Sequence, residues 1–529
     1  MKEFIHIWKQ EKKITKEEWI SMLVTFFAGI MMYYEMPANW LTNPDTVWNS
    51  IYFRMGYGGE KINGRLFQII AAKLKMNMVT PVLTTVICIL LICVTALLIG
   101  RMFDSNFSAG LLTGLLLVFM PCTSSSLTYY YCADSFFLAL FCVVFGSYLI
   151  KKYPSILTYC LSVCLFGASL YLYQAYICIA FTLALSFLML AMLEGKQSVK
   201  EALAVFLRFV VTSAAAVVLY VLSFKALQLV FHIRVRTDRG MGFTNLFGDK
   251  GIFTLLGQAY VNFYEYFWGN RLLNNEFGDR GLLNFLIFIF ILAMIVMIVV
   301  INKVWKQPAR LGILGLAIFL FPLAAEAITV MSPEVDKYGP TGIIMVPTFV
   351  LVYVLALALG NSLAKETKYW FFRPAASLLI LLFVWNSIVF TGLCINSMEL
   401  NLHKAQNVAD LMFDRIVEEY GYEKDTRLLV AGSMEDGNFP ALYEWPAQAI
   451  SGTSASYGFM WDTYTGNENC WVEFLKQYLG VSFEACDQEE YEKLLQNQEY
   501  IQMPVFPADG SVQKFGDMIV VKMSEVELE

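Results

Sequence analysis

Charge is what this 529-residue chain has least of: Asp, Glu, Lys and Arg make up 16% of it, against 57% hydrophobic residues. A water-soluble domain carries roughly 25% charged residues, so much of this surface is not built to face water. The deficit is local, because long stretches lack charge while the last ~130 residues look ordinary. Net charge is −6, with no basic block and no acidic tail, which argues against nucleic acid as a partner. Histidine is nearly absent. His6, His232 and His403 are too scattered for a metal cluster, and no CxxC or HExxH supplies a zinc site. GxxxxGK[ST], GxGxxG, Asp-x-Asp and GxSxG are missing too, so ATP, dinucleotides, metal-held nucleotide sugars and serine hydrolysis lose their usual sequence support.

Period-2 alternation is also lacking, which removes a β-barrel. In its place, apolar runs of helical length recur at 19–34, 80–99, 108–121, 135–150, 155–171, 175–193, 201–223, 282–301, 311–331, 341–360 and 374–393. Each is near the ~20 residues that cross ~30 Å of hydrocarbon. The fold class expected is a polytopic α-helical membrane protein with about eleven transmembrane helices. Lys2, Lys9, Lys12, Lys13 and Lys16 precede the first run and no small-residue cleavage site follows, so the first helix reads as retained rather than as a signal peptide. Arg101, Lys151, Lys152, Lys196, Lys200 and Arg310 mark the short inner connections, placing the N-terminus inside. Eleven crossings then put the C-terminus outside.

The outer face therefore gains loop 35–79, loop 224–281 and a tail. Residues 1–393 form the membrane part and 394–529 a small extracytoplasmic α/β domain. In the first loop, Leu66, Ile69, Ile70 and Leu74 fall at helical spacing beside Lys73 and Lys75; in the second, Phe253, Leu256, Tyr260, Phe263 and Phe267 do the same. Both read as helices lying in the membrane interface. The tail opens with an amphipathic helix near 400–419 and a strand at 427–432. Helices near 470–479 and 487–497 and a strand at 518–523 follow. Most of the eleven cysteines lie within apolar runs as small hydrophobes. Cys122 with Cys132, and Cys470 with Cys486, are the pairs spaced to bridge in an oxidising compartment or to stay reduced.

Chemistry has few places to reside. Asn43-Pro44-Asp45-Thr46-Val47-Trp48 lies about ten residues past the first run, and Asn63-Gly64-Arg65 about twenty further on. A carboxylate there suits a general base and an arginine suits a phosphate; equally, Asp45 forms a turn and Arg65 snorkels. Tyr129-Tyr130-Tyr131-Cys132-Ala133-Asp134 enters the fourth run. Its tyrosines fit a sugar wall or an aromatic belt, and Asp134 an active acid or a helix cap. Ser169-Leu170-Tyr171-Leu172-Tyr173-Gln174-Ala175-Tyr176 brings a polar group to another outer boundary. Glu326 is the most membrane-embedded acid, and such carboxylates are costly to keep without a function. Arg234, Arg236, Arg239 and Lys337 offer positive charge in outer segments, for a lipid phosphate or simply for anionic headgroups.

Taken together, Asp45, Gly64-Arg65, the Tyr-x-x-x-Asp approach and the Ser-Leu-Tyr-x-Tyr-Gln-x-Tyr element resemble the type II glucosyltransferase domain family, which includes serotype-converting O-antigen glucosyltransferases of bacteria. The resemblance covers residues 20–390. It implies a GT-C-like fold in the cytoplasmic membrane and transfer of glucose from a polyprenyl-phosphate donor, undecaprenyl-phosphate glucose, to a cell-surface glycan on the outer face. Nucleotide is not needed, because phosphate is the leaving group. In that scheme Asp45 is the base on the acceptor hydroxyl, and Asp134 or Glu326 orients the sugar. Arg65, with Lys337 or Arg234, Arg236 and Arg239, meets the leaving phosphate. Tyr131, Tyr173, Gln174 and Trp48 contact sugar or acceptor. No cofactor is implied, and a lone Asp45 gives no argument for a divalent metal. The chain departs from the family in having Thr46 where many members have a second acid, and Lys337 where arginine is expected. The competing reading is a lipid or glycan transporter or flippase; long outer loops and the lack of internal repeats weigh against it.

Overall fold

The computed structural model describes residues 13–51, 54–55, 63–233, 251–268, 280–331, 348–424, 426–434, 437–439 and 464–526. Helix α1 (Lys16–Tyr33) starts at a reciprocal cap in which Thr15 Oγ1 accepts from Glu18 N and Glu18 Oε2 accepts from Thr15 N. A short helix, α2 (Pro44–Asn49), and a minimal strand pair, β1 (Ser50–Ile51) with β2 (Arg54–Met55), follow. Next come α3 (Leu66–Leu74), α4 (Pro81–Met102), α5 (Phe107–Phe119), α6 (Pro121–Leu127), α7 (Ala133–Lys152), α8 (Ile156–Leu172), α9 (Ile177–Glu194) and α10 (Val199–Phe231). Beyond the second long loop's helix α11 (Ile252–Trp268) lie α12 (Arg280–Ile301), α13 (Pro308–Ala325), α14 (Ala327–Met331), α15 (Thr348–Leu363) and α16 (Phe372–Tyr420).

Each expected apolar run holds a helix over most of its described residues, with breaks at Met120 in 108–121 and at Glu326 in 311–331. Among those residues, seven helices are long and apolar enough to cross a membrane, or eight if the bent pair α5–α6 is one span. The remaining runs are shorter, as α8 and α15 are, or carry charge in the first turn, as α1 does with Glu17 and Glu18. The protein is thus a polytopic helical membrane protein. Its centre is α7 and α9, whose apolar windows are 83% buried, while α12 and α13 are 33% buried and form the periphery. At one end Arg101 forks onto Glu18 (2.7 and 2.9 Å), tying α4 to α1.

Three local features add to the simple reading of the runs. The chain turns 47° between α5 and α6. Pro121 has no N–H to continue the ladder, and Met120 is extended (φ −59°, ψ 135°). All seven residues of α6 are buried. Helix α3 packs on α8 through Gln68 and through Phe67, which stacks on Tyr171 at 5.0 Å, while Ala72 clusters with Val79 and Tyr130, and Ile70 and Leu74 face outward. That is the direction an interfacial helix needs, with Gln68 Nε2 satisfied by Leu172 O at 2.7 Å. Helix α11 buries Leu255, Ala259, Phe263, Tyr266 and Phe267, packs against α12, α13 and α14, and leaves Phe253 exposed.

Helix α16 runs 49 residues without a break, ~74 Å at 1.5 Å per residue, well over the ~30 Å of hydrocarbon. The last apolar run and the amphipathic segment after it are therefore one rod. On its far end sit β3 (Thr426–Ala431), α17 (Tyr464–Leu479), β4 (Phe483–Ala485), α18 (Gln488–Leu495), α19 (Gln498–Gln502), β5 (Val512–Phe515) and β6 (Met518–Lys522). The sheet order is β4-β3-β6-β5, with β3 parallel to both neighbours and β5 antiparallel to β6. Strands β4 and β5 are too short for a pattern to announce them. Cys122 and Cys132 are both buried thiols; the side chain of Cys470 lies outside the described residues.

Candidate functional site

The site begins with three hydroxyl and amide side chains on either side of Asp45. Thr42 and Thr46 both donate to Thr128 O (2.7 Å each), and Asn43 Nδ2 donates to Thr128 Oγ1 (3.0 Å). Asn43 Oδ1 in turn caps α2 by accepting from Thr46 N at 2.9 Å. Helix α2, with half-buried Asp45 in its first turn, is thereby strapped to the end of α6. From the other side α17 packs against α2. Asp45 is fixed between the membrane bundle and the C-terminal sheet.

Arg65 caps α3 with its guanidinium 4.8 Å from the centre of the Tyr173 ring, within cation–π range. Its Nε donates to Gln174 Oε1 (3.3 Å), and Gln174 Nε2 donates to Asn63 O (2.7 Å) and to Tyr220 Oη (3.0 Å). Gly64 is required at the centre of this knot: its φ is +71°, and a Cβ would fall 2.5 Å from Tyr220 Oη. Phe136 packs on Tyr173 at 4.7 Å and Tyr129 on Phe136 at 5.8 Å, extending one aromatic wall.

Tyr131 joins these two groups. Burial holds its phenol well above the usual range. Cys132 and Asp45 push the same way and Arg65 opposes them, and the ring packs edge-on to Tyr129 at 6.3 Å. The ring contacts Tyr131–Tyr129–Phe136–Tyr173 thus run from beside the Thr128 strap of α2 to Arg65 and Gln174. Trp48 lies one turn after Asp45 on α2, with its side chain outside the described residues.

Asp134 adjoins this group through the 131–134 turn. Its Oδ1 pairs with Lys75 Nζ at 3.0 Å, with both side chains nearly buried; Lys75 also reaches Tyr131 O at 3.5 Å. Glu326 belongs to a second polar group. It is 1% exposed at the end of α13, and its Oε2 accepts from Thr329 Oγ1 at 3.1 Å. Asn262 Nδ2 donates to Thr329 Oγ1 (3.0 Å) and Gln258 Nε2 to Asn262 Oδ1 (2.8 Å). Arg234, Arg236, Arg239 and Lys337 lie outside the described residues. Among the described residues no cluster of His, Cys, Asp and Glu could hold a metal ion. At the opposite end of the bundle a cavity of about 450 Å³ is lined by Glu18, Thr25, Arg101, Asp104 and Lys152, with Arg101 on Glu18 and Lys152 on Asp104.

Sequence reasoning passed over Thr128, Lys75, Tyr220, Gln258, Asn262 and Thr329. Two of these had a visible signal: Gln258 and Asn262, four apart in an otherwise apolar stretch, share one helix face. Thr128 ends a hydroxyl run, Thr123 to Thr128, that is unusual beside a membrane span. Lys75 and Tyr220 carried none.

The helices of membrane-crossing length, with a carboxylate, a guanidinium and aromatic faces held among them, define a polytopic membrane protein. More narrowly, the chain belongs to the glucosyl transferase GtrII family, whose model matches residues 41–358, well over half of its length. That match starts just before Asp45 and takes in Arg65, Tyr131, Asp134, Tyr173, Gln174 and Glu326. Searches of the curated proteins and of the solved structures each gave no match.

Proposed function

We propose that this family member transfers glucose from a polyprenyl-phosphate donor to a hydroxyl of a cell-surface glycan, at the extracytoplasmic face of the cytoplasmic membrane. The observation that carries the reading is that the helix bearing Asp45, strapped to Thr128, and Arg65, held by Gln174 and Tyr173, are linked through the aromatic run Tyr129–Phe136–Tyr173. A base and a phosphate-binding cation must flank one sugar for such a transfer. In the reaction, Asp45 takes the proton of the acceptor hydroxyl as its oxygen attacks C1 of the glucose. The C1–O bond to phosphate breaks, and the phosphate leaves with the bonding pair. Arg65, already oriented by Gln174 and Tyr173, stabilises the charge that develops there, with Lys337 or Arg234, Arg236 and Arg239 as further cations. Asp134 or Glu326 orients the sugar hydroxyls, and Tyr131, Tyr173, Gln174 and Trp48 line the sugar and acceptor positions.

This reading carries a GT-C-like architecture of eleven crossings, an inside N-terminus and an extracytoplasmic C-terminal α/β domain at 394–529. The positive residues at the end of the bundle opposite Asp45 support that orientation. Reconstitution tests it. Purified protein in vesicles should transfer glucose from polyprenyl-phosphate glucose with no nucleotide present, and Asp45→Asn should lose at least a hundredfold in rate while inserting normally. Transfer supported only by UDP-glucose would overturn the donor, and wild-type rates in Asp45→Asn would remove the base.

A further inference from the structure

We propose that α11, the helix of the second long loop, positions Glu326 through α14: Asn262 on α11 holds Thr329 on α14, which fixes the carboxylate at the orientation in which it binds a donor sugar hydroxyl. This rests on reading Glu326 as a sugar-orienting acid. Three hydrogen bonds run in one direction, from the Gln258 amide to the Asn262 carbonyl, from the Asn262 amide to the Thr329 hydroxyl, and from that hydroxyl to the Glu326 carboxylate. A chain whose donors all point one way ends best on a group that only accepts, as an ionised carboxylate does. Asn262, Thr329 and Glu326 are 2%, 1% and 1% exposed, so their mutual geometry is set by protein rather than by water.

The position explains why donors are needed. Glu326 N bonds back to Pro322 O at 2.9 Å, and Thr329 N to Glu326 O at 3.0 Å, so the residue sits at the break between α13 and α14. A carboxylate at the C-terminal end of a helix meets the negative end of its dipole; an aimed hydroxyl offsets that. The polar stripe on α11 is otherwise unnecessary to the packing. Leu255, Ala259, Phe263 and Tyr266 are its buried apolar contacts, and apolar residues at 258 and 262 would suit the same wedge. The second long loop thereby acts as an arm that reaches into the bundle and fixes one acid.

The experiment uses the full chain in vesicles with polyprenyl-phosphate glucose. Thr329→Val should lower kcat/KM for the donor about tenfold or more while the acceptor KM stays unchanged, and Thr329→Ser, which keeps the hydroxyl, should restore it. In a Glu326→Gln background Thr329→Val should add less than about twofold, as expected for groups that act as a unit. Asn262→Leu, which leaves the Thr329–Glu326 bond in place, should also lower donor kcat/KM and carries the test should Thr329→Val fail to fold. Equal activity of the Val and Ser variants alongside an inactive Glu326→Gln would overturn the positioning role alone. Wild-type activity in Glu326→Gln would overturn the reading of the acid itself.

Discussion

Gln174 makes more use of its side chain than any other residue near Arg65, accepting from the guanidinium and donating to Asn63 O and Tyr220. Replacing it by Leu strands a half-buried arginine and a carbonyl, a cost of about 1–3 kcal/mol for each lost partner. Gln174→Leu should therefore reduce kcat/KM by about ten- to a hundredfold, measured by donor titration at matched protein level. A different residue reports on the C-terminal sheet. Burial pushes the Glu473 carboxyl on α17 above its ordinary range, with Lys476 opposing. An acid raised in the folded state binds protons more tightly there, so its contribution favours folding at low pH and is lost as pH rises through the folded value. Glu473→Gln should raise the thermal midpoint at pH 7 and match wild type near pH 4, as followed by a thermal-shift assay. An unchanged midpoint at both would contradict that sign.

At the scale of elements, the strap and the rod matter most. Helix α2 is six residues long, too short to hold itself in place, and depends on Thr128 below and α17 above. Helix α16 extends unbroken to Tyr420, and Tyr478 on α17 donates to Asp410 on α16 at 3.2 Å. A Gly-Gly-Ser insertion after Asn396 should release that grip. The rate should fall several-fold or more while insertion and the C-terminal sheet persist, checked by vesicle assay and by protease resistance of the tail. Most elements were legible, since hydrophobic run length decides membrane helices almost by itself. The α5–α6 bend was legible only as Pro121. The unbroken α16 was not, because the polar residues around Asn396 and Ser397 permit a helix as readily as they permit a boundary.

For the whole molecule, what the sequence hid was distance. The partners that build the site are 85 residues apart for Asn43 and Thr128 and 109 for Arg65 and Gln174. No local pattern reports such pairings, whereas chemical type alone pointed to Asp45, Arg65, Tyr173 and Gln174. Glu326 was legible as a costly charge, but its place in a separate polar group was not.

The account as a whole requires Asp45 and its neighbours to face the same side of the membrane as a lipid-borne phosphosugar. Met76, 83% exposed just beyond α3, gives a handle on that side, and exposed Lys196 one on the other. A membrane-impermeant maleimide applied to intact cells should label Met76→Cys, and should label Lys196→Cys only after permeabilisation. The reverse pattern would put the carboxylate in the cytosol and contradict the proposed reaction.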